Sequence, residues 1–253
     1  GKDMGIYALE EHFEKKLVES NRRPNGPIVK FENDYLTGQY DSAKSGTIKK
    51  DAVLNQQYQK SVWLLDSFKK GELTVGEVFD IKKLAKYCAI IDLLAAYHGA
   101  HWSSARMYYN PITSKLEMIG YDGMTIGIFD YLIGAGRSYF QAPGQAATPF
   151  YNLLFNDPAF FKEYVKALEQ VSKKSYLDSL LADLSDVIDR DEKILSSEWV
   201  NFSFTDGWFF NKSPGGTSSV EYLYKNQEKI RLIISGQGFQ KEARSVISGQ
   251  EVV

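Results

Sequence analysis

One cysteine, Cys88, is all the chain has. No internal disulfide can form, and no cysteine pair can hold a metal. Cys88 lies in an apolar helical run, where it reads as a buried small hydrophobe rather than a nucleophile. Long apolar runs are missing as well. None approaches the roughly 20 residues that a bilayer-spanning helix needs. Neither sign of charge dominates: 30 Lys and Arg against 32 Asp and Glu leave a net charge of -2 and a pI near 6.0. That removes the electrostatic footprint of a nucleic-acid binder. The Gly-x-x-x-x-Gly-Lys phosphate loop, the His-Glu-x-x-His metal helix and the Gly-x-Ser-x-Gly elbow are all absent. So are internal repeats and low-complexity tracts. The chain opens inside an apparent strand and stops without a closing element, which reads as a fragment truncated at its start. The lack of a signal peptide therefore carries no weight.

What is present suffices for a sizeable core: 43% of residues are hydrophobic and 14% aromatic. Residues 5–13 alternate, with Tyr7, Leu9, Glu11 and Phe13 on one side, and period two predicts a half-buried strand. Residues 27–31 predict a second strand with Lys30 among apolar neighbours. A lysine there either pairs with a carboxylate, Glu11 being the economical partner, or snorkels from an edge. The stretch 33–50 reads as a polar loop. Leu54, Tyr58, Val62, Leu65 and Phe68 then recur at helical spacing up to Gly71. Thr74 to Glu77 has the form of a capping box. Asp80 caps a helix predicted over 81–98 that is apolar almost all round between Leu84 and Ala96. Asp92 inside that helix must be hydrogen-bonded or face a site.

The chain is organised around residues 97–122. Two short apolar runs, 106–109 and 115–121, flank Asn110-Pro111-Ile112-Thr113-Ser114 and predict a hairpin. Asp122 leaves its second strand, so a carboxylate is presented at a strand end. Further helices are expected from Asp157-Pro158, over 176–195 and from Ser218, with a loosely held tail after Gly236. The aromatic stretch 199–210 resists assignment and is the one feature that favours a carbohydrate-binding or adhesive surface. His98 and His101 supply at most two metal ligands; capping a helix C-terminus is the simpler role. The organisation is α+β: a small β-containing part over 1–50, a larger helical part over 51–236 and a tail over 237–253. Lys30, Glu11 and Asp122 are the residue types that phosphoryl transfer uses, a lysine on phosphates and a carboxylate on Mg²⁺.

Several ordered motifs are similar to the CotH kinase family, the spore-coat-type atypical protein kinases. They are Gly5-Ile6-Tyr7-Ala8-Leu9-Glu10-Glu11-His12-Phe13, Gly26-Pro27-Ile28-Val29-Lys30-Phe31, Val78-Phe79-Asp80, Tyr108-Tyr109-Asn110-Pro111, Gly120-Tyr121-Asp122 and Tyr222 to Gln227. The resemblance implies a divergent two-lobed kinase-like fold that binds ATP and Mg²⁺, with a protein substrate and an extracellular or cell-surface location. It implies Lys30 as the phosphate-binding lysine, Glu11 as the acidic residue of the first strand, and Asp122 as the metal-binding aspartate. One departure matters. Family members carry Asp-Trp followed by asparagines before the hairpin, and here the order is His101-Trp102-Ser103-Ser104. Trp102 is then expected against the adenine and Ser104 on the metal. His101 stands in the catalytic position, with Asp92 or His98 as substitutes. The expectation is nucleotide binding with slow or absent phosphoryl transfer, as in a pseudokinase.

Overall fold

The computed structural model describes residues 5, 12–32, 40–42, 45–123, 127–129, 132–133, 149–198 and 219–249. Glu11, most of the first expected strand and the aromatic stretch 199–210 lie outside them. Strands β1 (Ile28–Phe31), β2 (Tyr40–Ser42), β3 (Arg106–Asn110) and β4 (Lys115–Ile119) form one antiparallel sheet in the order β2-β1-β3-β4. The hairpin β3–β4 pairs Asn110 with Lys115 across its turn, where Ser114 takes φ 55°. The lysine strand joins the hairpin directly, Lys30 opposite Arg106 and Ile28 opposite Tyr108.

Alternation along these strands separates two faces. Val29, Phe31, Met107, Tyr109 and Leu116 turn inward to the main core. Ile28, Tyr108 and Ile119 turn outward, where Val18 of helix α1 (Lys15–Ser20) and the flanking Phe13 and Leu17 cover them. Glu117 is also on the outer face and is buried. Its carboxylate is held by Arg23 at 3.1 Å, Lys83 at 2.8 Å and the Asn110 amide at 2.8 Å. Such a charge is tolerable only while its partners remain. A cavity of about 230 Å³ opens beside it, walled by Leu17, Arg23, Tyr108 and Ile119.

The inner face rests on helices α3 (Ala52–Lys69), α4 (Val75–Val78), α5 (Ile81–Leu94), α6 (Pro149–Asn156) and α7 (Pro158–Val171), with a short α2 (Ser45–Ile48) before them. Their starts follow the sequence. Asp51 accepts from the amides of Val53 and Leu54, Asp80 from Lys83 and Asp157 from Phe160. The Thr74–Glu77 capping box forms as expected, at 2.8 Å. Each cap is worth about 1 kcal/mol. Edge-to-face rings of Phe31, Phe68, Phe79 and Phe150 lock sheet to helices, with centroids 5.3–6.2 Å apart. Such pairs add roughly 0.5–1.5 kcal/mol to their area burial.

Four expectations are corrected. The central helix stops at Leu94 rather than near His98. Ala95 turns left-handed at φ 50°, and the Ala96 amide returns to the Ile91 carbonyl in a Schellman-type closure. The polar stretch 33–50 contains β2 and α2. The single helix read over 176–195 is two, α8 (Lys174–Asp183) and α9 (Ser185–Ser196), and α9 buries no residue. The segment after Gly236 is helix α11 (Gln237–Ser248), anchored by buried Phe239 and Ala243. Helix α10 (Ser219–Ser235) precedes it. No described helix is long and apolar enough to cross a membrane.

Gly26 sits where the chain entering β1 crosses β3. A Cβ there would lie 2.3 Å from the Tyr109 carbonyl oxygen. Backbone cannot yield cheaply, so Gly26→Ala is expected to cost on the order of 3 kcal/mol and to lower the melting midpoint by roughly 6–12 °C. Thermal melts check it against Gly46→Ala, whose added methyl meets nothing within 4 Å. Equal midpoints for the two variants would refute the crossing.

Candidate active site

The site is assembled by the chain leaving α5. After Ala95 a single 3-10 turn, Tyr97–Ala100, carries His98. The Tyr87 hydroxyl donates to the Gly99 carbonyl at 2.8 Å, and the Tyr151 hydroxyl donates to that of Ala100. Gly99 is pressed onto the strand exit, since a Cβ would lie 2.7 Å from the Tyr121 carbonyl oxygen. Glycine is what allows the two backbones to touch. The next turn brings the amides of Ser104 and Ala105 back to the His101 carbonyl, at 2.9 and 2.8 Å. That turn sends the buried Ser104 side chain toward Asp122.

Three polar atoms then converge. Ser104 Oγ donates to Asp122 Oδ2 at 2.8 Å, His98 Nδ1 lies 2.6 Å from the same oxygen, and Ser104 Oγ and His98 Nδ1 are 3.3 Å apart. Asp122 takes a left-handed backbone at φ 51°. Aspartate tolerates that region better than most residues, and strain of this kind gathers at working sites. His101 stacks on His98 with centroids 6.2 Å apart and rings 12° from parallel, while its Nδ1 meets Ser103 Oγ at 2.8 Å. Burial first, then the neighbouring His98, holds the His101 imidazole below its ordinary pKa. Trp102 is half-buried, 5.3 Å from the His101 ring and packed against the core.

The other expected residues lie apart from this cluster. Asp92 is fully buried and accepts from Tyr97 Oη at 3.1 Å, the Ile133 amide at 2.7 Å and Tyr164 Oη at 2.6 Å. Burial pushes its carboxyl up to about 7, against the pull of those three donors. It ties α5 to α7 and to the chain at Ile133, and none of its partners belongs to the Asp122 cluster. Lys30 is half-buried on β1. In register it forms a row with Arg106 and Ile119, flanked by Asp41 on β2. Asp122 follows Ile119 by three residues, so Lys30 and Asp122 occupy the same end of one sheet.

As a donor set, the Asp122 carboxylate and Ser104 hydroxyl suit Mg²⁺. That ion takes oxygen ligands and commonly binds through one or two carboxylates plus substrate phosphates. His98 adds one nitrogen. Among the described residues no group of three or more His, Cys, Asp or Glu could hold a metal. An ion here would need phosphate oxygens to complete its shell.

Sequence reading missed Arg106, whose place directly across from Lys30 only the strand register reveals. It also missed what the motif Tyr222 to Gln227 does. Asn226 donates to the carbonyls of Leu93 and Gly127 at 3.1 Å, and Gln227 to those of Val171 and Lys173 at 2.9 and 2.8 Å. Two adjacent buried amides thus staple α10 to the end of α5 and to the α7–α8 junction. No curated protein matches the chain. A family model described as CotH kinase protein matches residues 1–205. The motifs running from the lysine strand through the hairpin to Asp122 fall within that match, and the chain belongs to the CotH kinase family.

Proposed function

We propose that this domain binds ATP with Mg²⁺ across the end of the sheet and transfers the γ-phosphoryl group to a hydroxyl of a secreted or cell-surface protein. The observation that carries the reading is the shared sheet end: the Lys30 row and the Asp122–Ser104 pair converge there. Lys30 would neutralise phosphate oxygens. Asp122 and Ser104 would hold the ion, which offsets charge on the phosphates when bound. His98, at hydrogen-bond distance from Asp122, would orient that carboxylate. His101, in the tautomer whose Nδ1 proton is donated to Ser103 Oγ, would leave Nε2 to accept the proton of an acceptor hydroxyl.

A second reading has its own support. The turn before β3 carries His101 and no carboxylate, and a neutral imidazole orients a hydroxyl less strongly than an anion would. Under this reading the domain is a nucleotide-binding module with slow or no turnover, as in a pseudokinase. Radiolabelled phosphate transfer, to the domain itself and to casein-like acceptors, separates the two when run beside ATP-binding calorimetry. Binding that weakens at least tenfold in Lys30→Ala is expected in both. Transfer abolished by the same change selects the kinase; binding without transfer selects the module. Wild-type protein with no affinity for ATP refutes both.

A further inference from the structure

We propose that Arg106 is a second phosphate-binding cation, gripping the same polyphosphate as Lys30 from the neighbouring strand. This rests on the nucleotide reading of the site but makes a separate demand on it. Lys30 and Arg106 are direct partners in the β1–β3 register. Side chains so paired leave the same face with Cβ atoms about 4.5–5.5 Å apart, near enough for one anion to lie over both.

The guanidinium is held ready for such an anion. It sits 5.1 Å from the ring centre of Tyr121 and 5.4 Å from that of Phe13, two rings that meet edge to face at 4.7 Å. Nη1 donates to the carbonyls of Ser103 and Ala105, at 2.8 and 3.2 Å. Nε and Nη2 make no hydrogen bond among the described residues. One corner of a rigid, half-buried fork is thus fixed to the backbone, while two donors remain to meet phosphate oxygens side by side. The place is right as well. Ser103, which receives Nη1, precedes Ser104 of the metal pair. Asp122 is near enough for its charge to counter the effect of burial on the guanidinium. A phosphate bridging Lys30 and Arg106 would present its remaining oxygens toward the ion that Asp122 holds.

The test measures affinity for inorganic tripolyphosphate without metal, Mg-ATP and adenosine by calorimetry, in the parent, Arg106→Gln, Arg106→Lys and Lys30→Ala. Arg106→Gln is expected to weaken tripolyphosphate and Mg-ATP by roughly 10- to 100-fold and to leave adenosine unchanged. Arg106→Lys keeps charge and stem but loses the fork, so a smaller loss in the same two ligands is expected. It also serves if the glutamine variant fails to fold. Combining Arg106→Gln with Lys30→Ala should cost less than the sum of the two, because both hold one ligand. Unchanged tripolyphosphate affinity in the folded Arg106 variants, or no tripolyphosphate binding by the parent, overturns the proposal. Arg106-dependent tripolyphosphate binding with no gain from the nucleoside would uphold it while refuting the nucleotide reading.

Discussion

Asp92→Ala is expected to melt on the order of 10 °C below the parent, although the residue lies outside the candidate site. Truncation leaves the Tyr97 and Tyr164 hydroxyls and the Ile133 amide without their acceptor in the core. Each orphaned buried group costs about 1–3 kcal/mol, so a total near 4 kcal/mol is a moderate figure. For a chain of this size each kcal/mol moves the midpoint by roughly 2–4 °C. Asp92→Asn should be milder, because its amide oxygen still accepts from Tyr97 Oη and the Ile133 amide, and only Tyr164 Oη loses its acceptor. The two variants also separate in their pH dependence. The Asp92 carboxyl is raised from 3.8 to about 7 in the fold, so the folded state holds a proton that the unfolded state has released. Its contribution is complete below about pH 4, falls as pH rises toward 7, and is flat beyond. Denaturant titrations from pH 4 to 8 should show that decline in the parent and not in Asp92→Asn. A parent whose stability rises over this range in an Asp92-dependent way would refute the assignment.

Asp122→Asn is expected to abolish the increment that Mg²⁺ adds to ATP binding, while metal-free binding survives. The substitution keeps the shape, and its carbonyl can still accept from Ser104, so the turn should hold. What is lost is the anionic oxygen that a hard cation needs. Calorimetry with and without Mg²⁺ in parent and variant reads it directly. The metal-dependent gain should fall at least tenfold, about 1.4 kcal/mol, with a melting midpoint close to the parent's. An unchanged gain would move the ion elsewhere in the molecule.

Much of this architecture was legible in the sequence because the signals were local. The capping box at Thr74, the caps at Asp80 and Asp157, and the Asn110–Ser114 turn are each written in a few adjacent residues. Asp122 was legible as a carboxylate at a strand end, and so was the need for Asp92 to find partners. What stayed hidden depended on register and on distant chain. The residue across from Lys30 on β3 is Arg106, 76 positions away. Leu184 carries no breaker chemistry, so an amphipathic period ran unbroken through a real interruption between α8 and α9. The last helix was missed because only Phe239 and Ala243 are buried along it, too sparse a pattern to stand out from a tail. The turn of His98 was misread as helix because Ala95 is an unexpected residue in a left-handed cap.

The ladder joining β1 to β3 also bears on how such a site could be controlled. Lys30 and the strand leading to Asp122 are two interstrand steps apart, roughly 10 Å, and hydrogen bonds bridge both steps. The boundary expected near residue 50 falls between β2 and the β3–β4 hairpin, and the sheet runs across it. A hinge at that boundary could not change the separation of lysine and carboxylate without stripping a strand from the sheet. Control by opening and closing a jaw between them is therefore costly in this architecture. Regulation is cheaper through whatever overlies the outer face, where Phe13 packs on Arg106 and Tyr121 and where a short helix, rather than a ladder, is all that must shift.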